Sequence, residues 1–349
     1  MQNTSIKILI PLLSFGRSGG MRVLSQLANH WLTKGCDVTF AVFCESENPY
    51  YPIDANIIWI DKDGNEISSN NSDYTAKNSG IKRVYAIYKF LSKNSRKYDV
   101  VLANSNKSSW AVWLGSKAKN FYYIQAYEVE FSSEMTVKGY FKRLTAWITY
   151  YLPLIKVVNA KIYLDYKNIK SDYFVPAGLD LKNYYPKNND KNNYSKEFLI
   201  GCIGRKAEWK GSNDVGEAVK ILRSRGYNVN FKVAYEPVEY KDHELVKPDG
   251  DKNLADFYRS LDVLIAPGHI QLGAIHYPVI EAMACKTPVI TTGYFPANNC
   301  NSYIVPIKRP DKIADTLIEI INNYEDAIKK AEIAYEEIQQ FDWDVVSSK

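Results

Sequence analysis

The sequence predicts an α/β protein built on two doubly wound parallel sheets, and three observations carry that expectation. Near the N-terminus a short apolar strand runs into a turn of small residues, then a helix, then a second apolar strand. After a polar stretch a fresh strand begins at Phe198 and runs into a basic loop and another helix. Finally, Pro278 to Thr292 couples a helix start directly to a β-branched strand. Each is the strand, turn, helix order of a parallel crossover, with the turn at the carboxyl end of the strand. The 349 residues suit about two domains of roughly 150 to 180 residues.

Composition excludes several classes. With 46% apolar and 24% charged residues the chain reads as globular and water-soluble. The net charge of +5 is too small to argue for nucleic acid, although it suits an anionic ligand or an anionic membrane surface. Five widely spaced cysteines without a CxxC pair predict small core residues in a reducing compartment and no structural zinc. Met1 to Ser5 leads straight into a strand without a basic-then-apolar leader, and no apolar run reaches the roughly 18 residues of a membrane span.

In order, Ile6 to Leu13 reads as the first strand and Ser14 to Gly20 as its turn. Val23, Leu24, Leu27, Ala28, Trp31 and Leu32 recur at helical spacing up to Gly35, and Asp37 to Phe43 is the next strand. Gly19 and Gly20 would let backbone N–H groups approach phosphate at the helix start, or serve the turn alone. They lack a full GxGxxG, which weakens a nicotinamide-dependent oxidoreductase reading. Asp61-Lys62-Asp63, followed by a Ser/Asn-rich run to about Ser79, reads as a solvated turn rather than a metal site. Lys82 to Leu91 is a helix, and Tyr98 to Ala103 and Phe121 to Ala126 are strands. The second of these strands leads into Tyr127-Glu128.

Residues 138 to 156 set Lys138, Lys142 and Arg143 beside Phe141, Trp147, Tyr150 and Tyr151. The pattern would suit a helix on an anionic bilayer, and it also fits a half-buried core helix, broken at Pro153. Val157 to Tyr163 and Ser171 to Asp180 close a first domain of residues 1–182, and the polar stretch 183–195 is the linker. In the second domain, 196–335, Phe198 to Gly204 is a strand feeding Arg205-Lys206-Ala207-Glu208-Trp209-Lys210-Gly211. Read from the residues alone, this is a basic loop between a strand and a helix, suited to an anion or merely solvated. Asn228 to Tyr235 and Asp262 to Pro267 are strands, residues 236–252 are irregular, and helices span Leu254 to Leu261, Pro310 to about Asn322, and onward to Gln340.

Pro278 to Thr292 resembles the signature of the retaining nucleotide-sugar glycosyltransferases of family 4 around their E-x7-E motif. Glu281 matches the second glutamate; Gly273 stands where the first is expected, and His276-Tyr277 replaces the usual Gly before the Leu-Pro step. Gly204-Arg205 with Lys210-Gly211 matches the family's diphosphate clamp. Gly19-Gly20 matches its first glycine turn, and Pro176 to Asp180 is similar to its Pro-Asn-Gly-x-Asp loop. Gln125 to Glu128 is similar to a pattern of bacterial polysaccharide members of the rhamnosyltransferase kind. The resemblance implies the GT-B fold, two Rossmann-like domains facing across a cleft, with residues 336–349 a C-terminal helix crossing back to the first.

It also implies a retaining, metal-independent transfer of a sugar from a nucleoside diphosphate to a glycan or lipid-linked glycan. Arg205 and Lys210 would act on the diphosphate. Glu281, Gly19, Gly20, Pro278, Gly273 and His276 would line the donor, and Gln125, Tyr127 and Glu128 the acceptor or sugar. Without a carboxylate at Gly273 the implied donor is dTDP-rhamnose, then UDP-galactofuranose, with His269, Gln271 or His276 supplying replacement contacts. No cofactor and no nucleic-acid partner are expected, and the implied location is cytoplasmic, peripheral at most to the inner face of the cytoplasmic membrane. The alternative is a non-catalytic nucleotide-sugar-binding or scaffolding protein with a degenerate donor site.

Overall fold

Ile8, Leu9, Ile10 and Leu12 are apolar on both faces of a short segment, which suits a strand covered on both sides. The computed structural model describes residues 5–70, 80–131, 136–171, 173–186 and 197–349. It sets this strand, β1 (Lys7–Leu12), inside an eight-stranded sheet. Then follow α1 (Gly19–Thr33), β2 (Asp37–Phe43), β3 (Asn56–Ile60), β4 (Glu66–Ile67), α2 (Gly80–Asn94), β5 (Val100–Ala103) and α3 (Asn106–Gly115). The set closes with β6 (Lys119–Ile124), α4 (Val137–Thr149), β7 (Ile155–Val158) and β8 (Tyr173–Phe174). The order is β4-β3-β2-β1-β5-β6-β7-β8, parallel throughout except for the β3–β4 pair. From β1 the chain goes one way to β2 and later returns to β5 on the other side. The carboxyl ends of β1 and β5 therefore form the switch point where such sheets bind ligands.

The second sheet repeats the plan in a parallel order β11-β10-β9-β12-β13-β14. Its elements are β9 (Phe198–Gly204), α5 (Ser212–Ser224), β10 (Val229–Tyr235), β11 (Glu244–Val246), α6 (Gly250–Ser260) and β12 (Val263–Ala266). Then come α7 (Tyr277–Ala284), β13 (Val289–Thr291), β14 (Tyr303–Ile304), α8 (Pro310–Asn322), α9 (Tyr324–Ile338) and α10 (Trp343–Val346). Here the switch point lies between β9 and β12, so the loops after Gly204 and Ala266 meet at its mouth. One core layer lies under α5 and α8 (Val215, Val219, Leu222, Leu317), the other under α6 and α7 (Leu254, Tyr258, Ile280, Met283).

The chain divides into Met1–Ala177 with Val346–Lys349 and Gly178–Val345. The division precedes the expected end of the first domain at residue 182, because Leu179 and Tyr184 are fully buried in the second core and the Tyr184 hydroxyl donates to Asp251 Oδ1 (3.1 Å). A polar count along 183–195 does not show that a single Tyr anchors its start; residues 187–195 of the expected linker lie outside the described residues. Of the C-terminal stretch, Phe341 and Trp343 stay with the second unit, with Trp343 against Gly178, and Val346 to Lys349 join the first. Segment 138–156 is two elements, not one: α4 ends at Thr149 and β7 begins at Ile155. Four elements without a clear sequence signal appear: α3, the paired strands β3 and β4, and β11 in the irregular stretch.

Candidate functional site

In the second unit the site starts where β9 ends. A Cβ on Gly204 would fall 1.6 Å from the Glu236 carbonyl oxygen, so the strand can leave the sheet here only as glycine. The Arg205 N–H donates to Ser212 Oγ (3.1 Å), and that hydroxyl donates to the Ile203 carbonyl (3.1 Å), tying the loop's two ends together. Glu208 to Lys210 make one 3-10 turn, and Gly211 follows at φ 70°, with a Cβ position 1.9 Å from the Pro267 carbonyl oxygen. The neighbouring loop is braced onto it: the His269 N–H donates to the Trp209 carbonyl (2.8 Å), and His269 Nε2 lies 2.6 Å from Asp214 Oδ2 in the first turn of α5. His269, one of the expected replacement contacts, is thus committed to holding two loops together.

This bracing brings three expected residues into one electrostatic neighbourhood. The Arg205 guanidinium lies over the Tyr235 ring, 5.3 Å from its centroid. Burial pushes the Lys210 ammonium below its usual pKa, and Arg205 beside it adds to the shift. His276 is the N-cap residue of α7, with its ring 4.5 Å from that of Tyr294. Burial first, then Lys210 and Arg205, hold its pKa well below the usual value, so the imidazole is neutral, and its Nδ1 is buried without a hydrogen-bond partner. Neither Arg205 nor Lys210 forms an ion pair among the described residues. A partly desolvated Lys210 beside the exposed Arg205, without a counter-charge, favours an anion.

Pro278 sits at the second position of α7, where its missing N–H costs no helical bond. Glu281, expected to face a ligand, is only 2% exposed, and the fully buried Tyr258 hydroxyl donates to its Oε2 (2.7 Å). Gly273 has φ 90° and donates its N–H to the Gly293 carbonyl (2.9 Å); Gln271 also has a positive φ, 52°. The loop is therefore wound in the left-handed region, and at Gly273 a side chain would be strained as well as absent. Tyr235, Tyr258, Tyr294 and Asp214 carry no motif; among 27 tyrosines nothing in the sequence marks these three.

In the first unit, Ser18 caps α1, its Oγ accepting from the Met21 N–H (3.3 Å), so Gly19 and Gly20 form the first turn. Gln125 comes up against that turn. Its Nε2 donates to the Gly20 carbonyl (3.4 Å), a Cβ on Gly20 would lie 3.3 Å from Gln125 Oε1, and Oε1 is buried without a partner. The Tyr163 hydroxyl fixes the Gln125 carbonyl (3.0 Å). Tyr127 stacks on Tyr166 with ring centroids 3.8 Å apart. Glu128 accepts at Oε1 from the Asn106 N–H at the start of α3 (2.6 Å) and from the Tyr122 hydroxyl (3.4 Å), which makes it the anchor of that helix. Burial raises its pKa to about 7 against the lowering effect of those bonds and of Lys107. The glycine turn and the end of β6, expected separately, form one neighbourhood.

Asp61 accepts at Oδ1 from the N–H groups of Asp63 and Asn65 (both 2.8 Å), and Asp63 pairs with Lys89 (3.1 Å), as in a solvated turn. Among the described residues no group of three or more His, Cys, Asp or Glu is arranged to hold a metal ion. No helix among them is long and apolar enough to cross a membrane.

With this geometry in hand, residues 197–323 match the model of the glycosyl transferases group 1 family. The chain is 25% identical over 191 residues to the capsular polysaccharide biosynthesis glycosyltransferase CapM of Staphylococcus aureus, covering 48% of this chain and 50% of that protein. It spans about half the length of the curated relatives it matches. Among solved structures, sucrose-phosphate synthase from Thermosynechococcus elongatus superposes with a TM-score of 0.77 at 15% identity, over 98% of this chain and 96% of that one. Anabaena HepE in complex with UDP and glucose superposes with 0.73 at 13% identity, over 98% and 97%. These likenesses show the fold: two α/β units with parallel sheets, of the GT-B type.

Proposed function

We propose that the protein is a glycosyltransferase that moves a sugar from a nucleoside diphosphate to a cell-surface polysaccharide or glycolipid acceptor, with retention at the anomeric carbon and without a metal. The observation that carries this reading is the uncompensated positive cluster at the second switch point, Lys210 beside Arg205 with neutral His276. As the sugar leaves, charge builds on the diphosphate oxygens; two fixed cations in a partly desolvated site stabilise that charge where it develops. The match of residues 197–323 to group 1 covers this same loop and helix.

In this reading Arg205 and Lys210 take the diphosphate, and the first turn of α7 around Pro278 adds backbone N–H groups. Glu281 takes the ribose hydroxyls, with Tyr258 fixing the orientation of its carboxylate. On the first unit, the resemblance assigns Gly19 and Gly20 to the donor phosphates or the acceptor. Gln125, whose Oε1 lacks a partner, Tyr127 and Glu128 receive sugar hydroxyls. With a pKa near 7, Glu128 can accept from or donate to a hydroxyl at neutral pH.

Gly273 directs the donor choice. A left-handed backbone there offers no carboxylate to hexopyranose hydroxyls, so dTDP-rhamnose is favoured and UDP-galactofuranose is next. The HepE structures, which hold UDP and UDP-glucose, make UDP-glucose the natural comparator. The test is release of nucleoside diphosphate from dTDP-rhamnose, UDP-galactofuranose, UDP-glucose and GDP-mannose, measured side by side. Clear preference for either of the last two would remove Gly273 as a reporter of donor identity. Binding without turnover of any would favour a scaffolding protein with a degenerate donor site.

A further inference from the structure

Tyr235 closes β10 with φ 75°, in the left-handed region that a bulky residue occupies only under constraint. The constraint is visible across the strand pair. Tyr235 stands opposite Gly204 in the parallel register of β10 and β9, and the next carbonyl, that of Glu236, passes so close over Gly204 that no Cβ fits between them. The chain turns sharply at Tyr235, where glycine or asparagine would take the same backbone with less strain. A strained position that nevertheless carries a large side chain points to a use for that side chain.

Three contacts describe the use. The half-buried ring packs against the core layer under α6 and α7. Its phenol lies within electrostatic reach of Tyr258, whose hydroxyl donates to Glu281. Over its face lies the Arg205 guanidinium, 5.3 Å from the ring centroid. Arg205 is otherwise weakly held: its side chain is exposed, makes no ion pair among the described residues, and reaches the Gly204 carbonyl only at a long 3.4 Å from Nη1. Fixing a long, exposed arginine costs conformational entropy when an anion arrives, unless the fold has already fixed it. An aromatic face does so without occupying the N–H groups that a carboxylate partner would take.

We infer that Tyr235 is the positioning residue for Arg205, its left-handed backbone aiming the ring under the guanidinium so that the N–H groups stand ready for an anion of the diphosphate class. The inference rests on the assignment of Arg205 to the diphosphate and goes beyond it by naming what sets that side chain in place. Because the same ring reaches Tyr258, it also ties the phosphate-binding cation to the proposed ribose-binding carboxylate.

The test has two arms, both on the full chain. The first needs no ligand: arginine Nε–H signals are recorded by NMR, with Arg205 assigned through its loss in Arg205→Lys. The ring current should shift the Arg205 signal upfield, Tyr235→Phe should keep that shift, and Tyr235→Leu should abolish it. The second arm is calorimetric affinity for UDP, dTDP and GDP. Tyr235→Leu should bind about three- to tenfold more weakly, as expected for one lost cation–π contact, and Tyr235→Phe within about twofold of wild type. In an Arg205→Ala background Tyr235→Leu should weaken binding no further, because the two side chains act as a unit. Tyr235→Asn suits the left-handed backbone but lacks the ring, so it should match Tyr235→Leu, and it carries the test if that variant does not fold. An unshifted Arg205 signal, wild-type affinity in Tyr235→Asn, an equal loss in Tyr235→Phe, or losses that add in the double variant would each overturn the inference. A shifted signal without binding of any of the three nucleotides would leave the ring contact but remove the diphosphate reading, and the positioning role with it.

Discussion

Replacing Glu128 with glutamine tests whether a carboxyl is held protonated at the foot of α3. The wild-type group is raised from its ordinary 4.5 to about 7, burial outweighing the bonds from Asn106 and Tyr122. That displacement corresponds to roughly 3 kcal/mol of preference for the neutral form in the folded state. The sign follows from proton counting. Below pH 4.5 folded and unfolded chains both hold the proton, and no penalty applies. Between 4.5 and about 7 the unfolded chain releases it while the folded chain keeps it, so wild-type stability falls as pH rises, and the loss is complete above 7. A glutamine in this place would accept the same two hydrogen bonds through its amide oxygen and has nothing to titrate. Relative to wild type, Glu128→Gln should therefore gain about 3 kcal/mol as pH rises from about 4.5 to about 8. Urea unfolding followed by tryptophan fluorescence reads this well, because five of the seven tryptophans (Trp31, Trp59, Trp110, Trp113 and Trp147) belong to the first unit. A wild-type-to-variant difference that stays flat across this range would refute the buried, neutral carboxyl.

The second unit supplies the remaining tests. Arg205→Ala or Lys210→Ala should lower sugar transfer by about two to three orders of magnitude, the loss expected for one transition-state charge contact. Full activity in both would remove the diphosphate assignment. Glu281→Gln should weaken nucleotide binding measured by calorimetry, and Tyr258→Phe should do so to a lesser degree by freeing the carboxylate's orientation. If Glu281→Gln instead lowers the melting temperature and leaves affinity unchanged, Glu281 is structural. Gly211→Ala should destabilise the second unit by more than about 3 kcal/mol, since it combines a left-handed backbone with a clash on Pro267; an unchanged urea midpoint would contradict the braced loops. Gly273→Glu should not confer use of UDP-glucose, because φ 90° strains any side chain there; gain of that activity would show that the loop rewinds freely.

Much of the fold was legible because its signals are local. Strands β1, β2, β9 and β12 are mostly runs of buried apolar residues, β10 alternates buried apolar with more exposed polar ones, and α8 begins at Pro310 as the chain's punctuation indicates. The basic loop 205–211 and the Pro278 helix start were legible for the same reason: glycine and proline fix backbone geometry within a few residues. What the sequence could not determine depends on neighbours distant along the chain. Lys210 and the neutral His276 come into one neighbourhood only when two loops far apart in sequence are braced through His269, Asp214 and Gly211. Glu281 turns from an open carboxylate into an enclosed one because Tyr258, 23 residues away, folds over it. Segment 138–156 admitted two readings in sequence, since an apolar stripe is identical whether it meets a core or a solvent boundary. The tertiary structure decided which side chains are covered: Gly139, Ala146, Thr149 and the aromatic Tyr150 are buried, while Phe141, Trp147 and Tyr151 are exposed. Periodicity belongs to the chain, whereas burial, and with it desolvation and charge state, belongs to the folded assembly of neighbours.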